Sequence, residues 1–192
     1  MRDLLNESEA RQIPLLYVKV YMLHLLRGLG HLHSYNICHR NITPENILVD
    51  KKKRFLKIAN LECSEQLPEG KGKFRGCEVT TYSAPELLLW TCYYNISIDI
   101  WSIGCILGEL LNKNEPLISG LSEVEIFHSI RRLLGTPKLD DVVDMGFPEE
   151  VYEILKKTKK FPTLSTIYSN ARPEEIEILE ELLQYSPLKR PT

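Results

Sequence analysis

Residues 38–50 read CHRNITPENILVD. Three of them, Asn41, Thr43 and Asn46, are uncharged polar residues, and the apolar run Ile47–Val49 that follows predicts a short strand. The amide of Asn41 cannot carry a proton away at pH 7. This polar loop therefore offers hydrogen-bonding groups but no general base at Asn41.

A second short strand is predicted at Phe55–Ile58. The charged stretch Asp50–Arg54 separates it from the first strand, so the two runs predict a small β-hairpin. Immediately after the hairpin come Asn60, Leu61 and Glu62. Asn60 thus offers a second neutral amide, with one carbonyl oxygen, after the predicted hairpin.

The first stretch resembles the catalytic loop of protein kinases, an H-R-D sequence followed by an Asn in the same loop. The resemblance implies that Asn41 replaces the Asp that accepts the substrate proton and that Asn60 replaces the D-F-G Asp that holds Mg²⁺. It also implies that Thr43 replaces a Lys that neutralises phosphate charge. Asn46 matches the family's Asn, and Leu48 matches the floor of the ATP site. We therefore expect no cofactor to bind well, although the family implies ATP and Mg²⁺, and we assign no metal ligands beyond the positional equivalents Asn46 and Asn60.

The chain matches the family more closely at positions with structural roles than at the catalytic positions. Ala84–Glu86 reads as A-P-E and closes an activation segment over residues 60–86. Asp99 opens a D-x-W-S-x-G sequence, and in the family this Asp accepts hydrogen bonds from the catalytic loop, here 37–50. The resemblance further implies a packing role for His39 and an ion pair between Arg190 and Glu86.

A subfamily resemblance to glycogen synthase kinase-3 covers most of the chain. It rests on residues 13–22, 37–40, 97–102, 134–137, 160–162 and 182–185. In that family a cluster of basic residues binds a priming phosphate; Arg40 matches one of them, but Glu65 stands where a Lys is expected. No tyrosine between Gly70 and Val79 matches the family's activating Tyr.

The resemblance implies one domain, residues 1–192, equivalent to the C-terminal lobe of a kinase with the N-terminal lobe absent. The sequence predicts a mainly α (α+β) fold, a helical bundle with one hairpin. Predicted helices begin at Pro14, carrying an apolar stripe, and at Asp99, ending at Leu111 as a buried central helix. Ser122 caps a helix to Leu134 through a capping box with Glu125. The apolar stripe comprises Val18, Tyr21, Met22, Leu25, Leu26, Leu29 and Leu32, and a last helix runs from Pro173 to about Tyr185.

Composition favours a cytoplasmic protein, with the nucleus as the alternative compartment. The chain is 43% hydrophobic with a formal net charge of -2, and its five cysteines are scattered without a C-x-x-C pair. Its apolar runs are too short to span a membrane. The net negative charge argues against nucleic-acid binding, so the basic runs Lys51–Arg54 and Lys156–Lys160 are interpreted as solvated turns.

Two further motifs have weak functional interpretations. His31, His33, Cys38 and His39 could suggest a metal site, but residues two apart on a helix do not face each other. Residues 70–76 echo a Gly-rich phosphate loop, but the third glycine is one residue late. We interpret the first set as structural and the second as a surface loop.

Three functions remain open on the sequence. The first is an inactive kinase homologue that binds proteins, with a groove for a helical peptide in the 122–160 region. The apolar candidates for that groove are Leu133, Leu134, Val142, Val143, Phe147, Val151 and Ile154. The second is a weak Ser/Thr kinase that uses ATP, and the third is a decaying or truncated remnant.

Overall fold

The computed structural model describes residues 1–7, 13–67, 72–73, 77–88, 93–112, 114–156, 164, 168 and 171–192. Its elements in chain order are α1 (Arg2–Glu7), α2 (Leu15–Ser34), β1 (Ile37–Cys38), a 3-10 turn (Pro44–Asn46), β2 (Ile47–Asp50), β3 (Phe55–Ile58), β4 (Glu65–Gln66), β5 (Gly72–Lys73), α3 (Pro85–Leu88), β6 (Tyr93–Tyr94), α4 (Ser97–Leu111), α5 (Glu123–Leu134), α6 (Leu139–Asp144), α7 (Glu149–Leu155) and α8 (Pro173–Leu182). Helices dominate and the strands are short, which confirms the mainly α prediction.

Helix α4 forms the centre of the core, as its nearly uniform apolar sequence predicts. Every residue from Ser97 to Leu110 is buried, and the helix begins two residues earlier than predicted. Gly104 allows a close approach to α8, since a Cβ there would lie 2.8 Å from a methyl carbon of Leu183. The two helices therefore pack with little space between their backbones.

Helix α2 packs its apolar stripe against the hairpin and α4. Val18, Tyr21, Met22, Leu25 and Leu29 are buried as predicted. The stripe is narrower than the sequence suggested, because Leu26 is exposed and Leu32 only half-buried. The α2 helix is long and its covering elements lie on one side, so residues at the edge of the stripe face solvent.

The predicted hairpin is present. Strands β2 and β3 pair antiparallel, from Ile47 opposite Ile58 to Asp50 opposite Phe55. At the closed end the Asp50 carboxylate accepts hydrogen bonds from the backbone N–H groups of Lys52 and Lys53, both at 3.0 Å. At the open end the N–H of Ala59 donates to the carbonyl of Asn46 at 2.9 Å. The hairpin therefore fixes the distance between the two polar stretches.

Two further strand pairs were not predicted. Strand β1 pairs antiparallel with β4, and β5 pairs antiparallel with β6. Each strand has two residues, too few for a hydrophobic alternation to show in the sequence. The β1–β4 pair matters for the site because it places Glu65 opposite Cys38, next to Arg40.

The N-cap predicted at Ser122 is confirmed, but the other half of the capping box differs, because the Glu125 carboxylate accepts from the N–H of Leu121, one residue before the N-cap, at 2.8 Å. The predicted end of α8 is wrong by three residues. The Ser122 hydroxyl accepts a hydrogen bond from the N–H of Glu125 at 3.3 Å. Helix α8 ends at Leu182 rather than Tyr185. The chain leaves the helix because the carbonyls of Gln184 and Tyr185 turn to accept hydrogen bonds from Arg190.

In the part of the chain that the structure describes, every helix is too short or too polar to cross a membrane.

Candidate functional site

The loop of residues 37–50 is attached to the core through Asp99. This buried carboxylate accepts hydrogen bonds from the backbone N–H groups of His39 and Arg40, at 2.8 and 2.9 Å. The His33 ring and the Cys38 thiol contact the same carboxylate at 2.9 and 3.4 Å. Arg40 itself has a left-handed backbone, with φ at 67°. The charged acceptor compensates for this unfavourable conformation and fixes the start of the loop.

The imidazole of His39 joins the two polar stretches. The ring is fully buried. Its Nδ1 accepts a hydrogen bond from the N–H of Asn41 at 3.3 Å, so Nε2 carries the proton and donates to the carbonyl of Ala59 at 3.0 Å. His39 therefore has the packing role that the resemblance implied, and its neutral ring is fully used in holding the loop against the end of the hairpin.

The three asparagines of the predicted site lie together. The Nδ2 of Asn46 donates to the backbone carbonyl of Asn41 at 2.9 Å. The Nδ2 of Asn60 donates to the Oδ1 of Asn46 at 3.2 Å, and the Oδ1 of Asn60 accepts from the N–H of Glu62 at 3.4 Å. Asn60 has a φ of 62°, a left-handed conformation that asparagine tolerates better than most residues. The side-chain amides at positions 46 and 60 thus bond to each other and to nearby backbone.

Thr43 and Leu48, the other two predicted site residues, face different surroundings. Thr43 is buried and brings no positive charge to the loop. The Leu48 side chain is 59% exposed on the outer side of the hairpin. Leu61 is 55% exposed just beyond the open end of the hairpin. The apolar positions that flank the asparagines are therefore open to solvent.

Mg²⁺ binds through carboxylates and substrate phosphates. The two positional equivalents of its ligands, Asn46 and Asn60, supply neutral amide oxygens, and the Oδ1 of Asn46 already accepts a hydrogen bond. Among the described residues, the structure brings together no set of three His, Cys, Asp or Glu side chains that could hold a metal ion. The donor set present does not match the requirements of Mg²⁺.

The guanidinium of Arg40 occupies the centre of a second polar cluster. Its Nη1 lies 2.6 Å from the Glu65 carboxylate and 3.1 Å from the Tyr94 hydroxyl, and that hydroxyl donates to the same carboxylate at 2.7 Å. Burial, and then the hydrogen bond to Glu65, raises the pKa of Tyr94 well above its ordinary value. The hydroxyl therefore stays protonated, and the carboxylate of Glu65 lies where an anionic group would contact Arg40.

Two cysteines complete this cluster, Cys63 through its carbonyl and Cys77 through its sulfur. The Nε of Arg40 donates to the carbonyl of Cys63, and its Nη2 lies 3.4 Å from the Sγ of Cys77. Burial, and then the Cys63 thiol, raises the pKa of Cys77 to about 11. No motif in the sequence indicated this pair, because fourteen positions separate the two cysteines.

The ion pair between Arg190 and Glu86 is formed as the resemblance implied. Both side chains are buried, and two parallel N–H···O contacts of 2.7 Å join them. Arg190 also donates to the carbonyl of Ser97 at 3.3 Å and stacks on the ring of Trp101. This pair connects the end of the activation segment to the start of α4.

A buried carboxylate on α4 was missed by the sequence reasoning. Glu109 is fully buried and is contacted by the Arg2 guanidinium at 2.7 Å and by the Tyr82 hydroxyl at 2.6 Å. Arg2 also donates to Tyr82 at 2.7 Å and to Glu45 at 2.8 Å. The available signal was a single Glu within an apolar helix, which requires a partner when buried.

The predicted groove for a helical peptide divides into core and surface. Leu133, Val142 and Phe147 are buried in the core, and Leu134 and Val151 are half-buried. Val143 on α6 is 48% exposed, and Ile154 on α7 is 69% exposed. These two helices pack against each other. Residues 157–160 of the predicted region lie outside the described residues, as do residues 70, 71 and 74–76 of the Gly-rich sequence.

The family model described as protein kinase domain matches residues 1–192. The chain belongs to the protein kinase domain family.

Proposed function

We propose that this member of the protein kinase family is a catalytically inactive, glycogen synthase kinase-3-like protein that binds other proteins. The observation that carries the proposal is the amide pair of Asn46 and Asn60. In an active kinase a carboxylate at position 60 would hold Mg²⁺; here a neutral amide donates its proton to the neighbouring amide oxygen. We therefore also propose that neither Mg²⁺ nor ATP binds this site well.

Two other replaced residues, Asn41 and Thr43, would also weaken phosphoryl transfer. Without a carboxylate at Asn41, no general base receives the proton of the substrate hydroxyl, and such a base contributes about 10²- to 10⁴-fold in rate. Thr43 is buried and uncharged, so it does not neutralise phosphate charge. Groups that act as a unit have non-additive effects on rate, so the combined loss is not the product of the separate losses.

The subfamily assignment affects which partners are plausible. In a primed-substrate pocket, Arg40 would be free to receive a phosphate; here its guanidinium contacts the carboxylate of Glu65 at 2.6 Å. The two charges offset each other, so a phosphopeptide gains little by approaching. We propose protein partners that are recognised without a phosphate group, in the cytoplasm or alternatively the nucleus.

The proposed partner site is the exposed apolar surface of α6 and α7, centred on Val143 and Ile154. A partner helix would bury both side chains, a recognition mode that uses apolar anchors spaced along the helix. The buried residues Leu133, Val142 and Phe147 would support this surface from below rather than contact the partner.

Phosphoryl transfer from labelled ATP tests the inactive state. Purified protein is incubated with ATP, Mg²⁺ and a mixed protein substrate, alongside the Asn46→Ala variant. We expect equal background labelling from both proteins. Labelling by the natural sequence that Asn46→Ala abolishes would favour the alternative, a weak Ser/Thr kinase, for which the retained hydrogen bonds of His39 and Asp99 are the supporting observation.

The binding surface is tested separately by selecting displayed amphipathic helices on the immobilised protein. The double variant V143E/I154E should lose most of the selected binders. Leu121→Glu is the matched control, because Leu121 is fully exposed and lies outside α6 and α7. Binders that tolerate V143E/I154E as well as they tolerate the control would refute this location.

A further inference from the structure

The half-buried thiols of Cys63 and Cys77 are adjacent although fourteen positions separate them in the sequence. The Sγ of Cys77 lies 3.8 Å from the backbone oxygen of Cys63. Both thiols are free. The Arg40 guanidinium holds them together, because it contacts the Cys63 carbonyl with Nε and the Cys77 sulfur with Nη2.

We propose that Cys63 and Cys77 form a reversible disulfide that closes residues 63–77 into a covalent loop within the activation segment. The sulfur atom of one residue already contacts the main chain of the other, so the bond requires side-chain rotation rather than a large backbone movement. Cys38 and Cys105 are buried separately in the core, which leaves the adjacent pair as the described cysteines most accessible to an oxidant.

The oxidant we propose is a low-molecular-weight disulfide such as oxidised glutathione. One protein thiolate attacks it, forming a mixed disulfide and releasing one glutathione thiolate. The second protein thiol loses its proton and attacks the protein-bound sulfur, releasing the second glutathione. Two protein thiols are thereby oxidised, one glutathione disulfide is reduced to two thiols, and the two protons pass to the released glutathione.

The disulfide would fix two backbone positions that are otherwise joined by non-covalent contacts, through Arg40 and between the Cys77 sulfur and the Cys63 carbonyl. In the reduced protein, a weak N–H···S contact and one N–H···O contact connect this arginine to the two cysteines. A covalent bond makes the same connection permanent until it is reduced. The inference is independent of the proposed function, since it holds whether or not the chain transfers phosphate.

Peptide mapping of the whole chain gives an unambiguous test. Protein is equilibrated in buffers with defined ratios of reduced to oxidised glutathione, for hours rather than minutes because a thiol with a raised pKa exchanges slowly. Free thiols are then alkylated and the chain is cleaved after glutamates. Cys63 falls in the peptide 63–65 and Cys77 in the peptide 70–78, each with a single cysteine.

We expect the linked peptide 63–65/70–78 to be the main intramolecular disulfide and to disappear on reduction. It should be absent from Cys63→Ser and from Cys77→Ser, and unchanged in Cys105→Ala. Recovery of both peptides as separate glutathione adducts, without the linked species, would overturn the proposal. Links from either cysteine mainly to other cysteines would overturn it as well. The decisive measurement is made on the natural sequence, so it does not depend on the folding of any variant.

Discussion

The buried supports of the loop of residues 37–50 and the outer edge of that loop differ in how they use charge. Beneath the loop, Asp99 and the Glu86–Arg190 pair are buried and contacted on several sides. At the edge, Asn41 and Asn60 are neutral and closer to solvent. The two regions are adjacent along the chain, because the N–H of Arg40 donates to Asp99 and the next residue is Asn41.

This difference shows that the geometry of a kinase site and its chemistry have separate causes. Buried charges keep the loop in position because removing one partner leaves an uncompensated charge in the core. Asn41 and Asn60, the positions that we propose have lost their catalytic carboxylates, are closer to solvent, where a carboxylate can be exchanged for an amide at little cost in stability. A fold can therefore retain its frame after its catalytic groups have changed.

The largest effect on stability is expected from removing the buried ion pair of Arg190 with Glu86. Arg190→Met leaves Glu86 buried without its bidentate partner and should lower the free energy of unfolding by about 3–5 kcal/mol. Denaturant unfolding followed by circular dichroism measures the change. The neighbouring variant Lys189→Met is the control: Lys189 forms an ion pair with Asp141, and the lysine side chain is 46% exposed. Because water reaches this cation, its loss should cost at most about 1 kcal/mol. Equal losses in the two variants would contradict the contrast between buried and exposed pairs.

A smaller loss is expected at Asp99. Asp99→Asn keeps the shape of the side chain but turns an –NH₂ group toward one of the N–H groups of His39 and Arg40. One buried donor is left unsatisfied, at a cost of about 1–3 kcal/mol. Thermal unfolding measures it, and hydrogen exchange at the amides of these two residues should accelerate. Unchanged exchange at both amides would show that the loop does not depend on this carboxylate.

Changes at the edge should leave stability nearly unaltered. Asn60→Asp replaces an exposed amide and should change the free energy of unfolding by no more than about 0.5 kcal/mol. The new carboxylate lies beside the Oδ1 of Asn46, so Mg²⁺ should now stabilise the protein, by about 0.4 kcal/mol when its concentration equals its Kd. The natural sequence should show no Mg²⁺-dependent stabilisation in the same titration. A response of equal size in both proteins would contradict our interpretation of the amide pair.

The smallest effect is expected where the two regions meet, at the Arg40 guanidinium. Burial raises the pKa of Cys77 to about 11, so the thiol form is favoured in the folded protein. The raised pKa therefore contributes to the free energy of unfolding below the ordinary thiol pKa. This contribution is lost as the pH rises toward about 11. The alkylation rate of Cys77 should still rise about tenfold per pH unit between pH 8 and 10.

Arg40→Gln provides the comparison for this measurement. The guanidinium favours the thiolate of Cys77, so its removal should shift the pH–rate profile of alkylation to higher pH. A plateau below pH 9 in the natural sequence would show that Cys77 is more exposed to water than the structure indicates.

Strong local patterns predicted much of the fold. The apolar run of α4, the Ser122 cap and the two runs of the hairpin each specify their structure within a few neighbouring residues. The two-residue strands and the narrow stripe of α2 were not predictable, because long-range packing decides which of two adjacent leucines is covered. Leu25 is buried and Leu26 exposed, yet both fit a helical apolar pattern.

The contacts of the site also divide into those that could be predicted from the sequence and those that could not. The pairings of Asp99 and of Glu86 with Arg190 followed from resemblance to the family. The Cys63–Cys77 contact and the Glu109 cluster could not be anticipated, because each joins distant residues that form no motif. The resemblance placed Glu65 in the same cluster as Arg40, and the β1–β4 register and the 2.6 Å contact show that the two charges meet.

The contact between Arg2 and Glu109 has a consequence for protein synthesis. The two residues are 107 positions apart, so at about 5–20 residues per second the ribosome needs roughly 5–20 s to add the second after the first. A six-residue helix such as α1 has too few hydrogen bonds to persist alone for that time. The α1 segment therefore waits, unfolded and charged, until α4 has emerged from the exit tunnel.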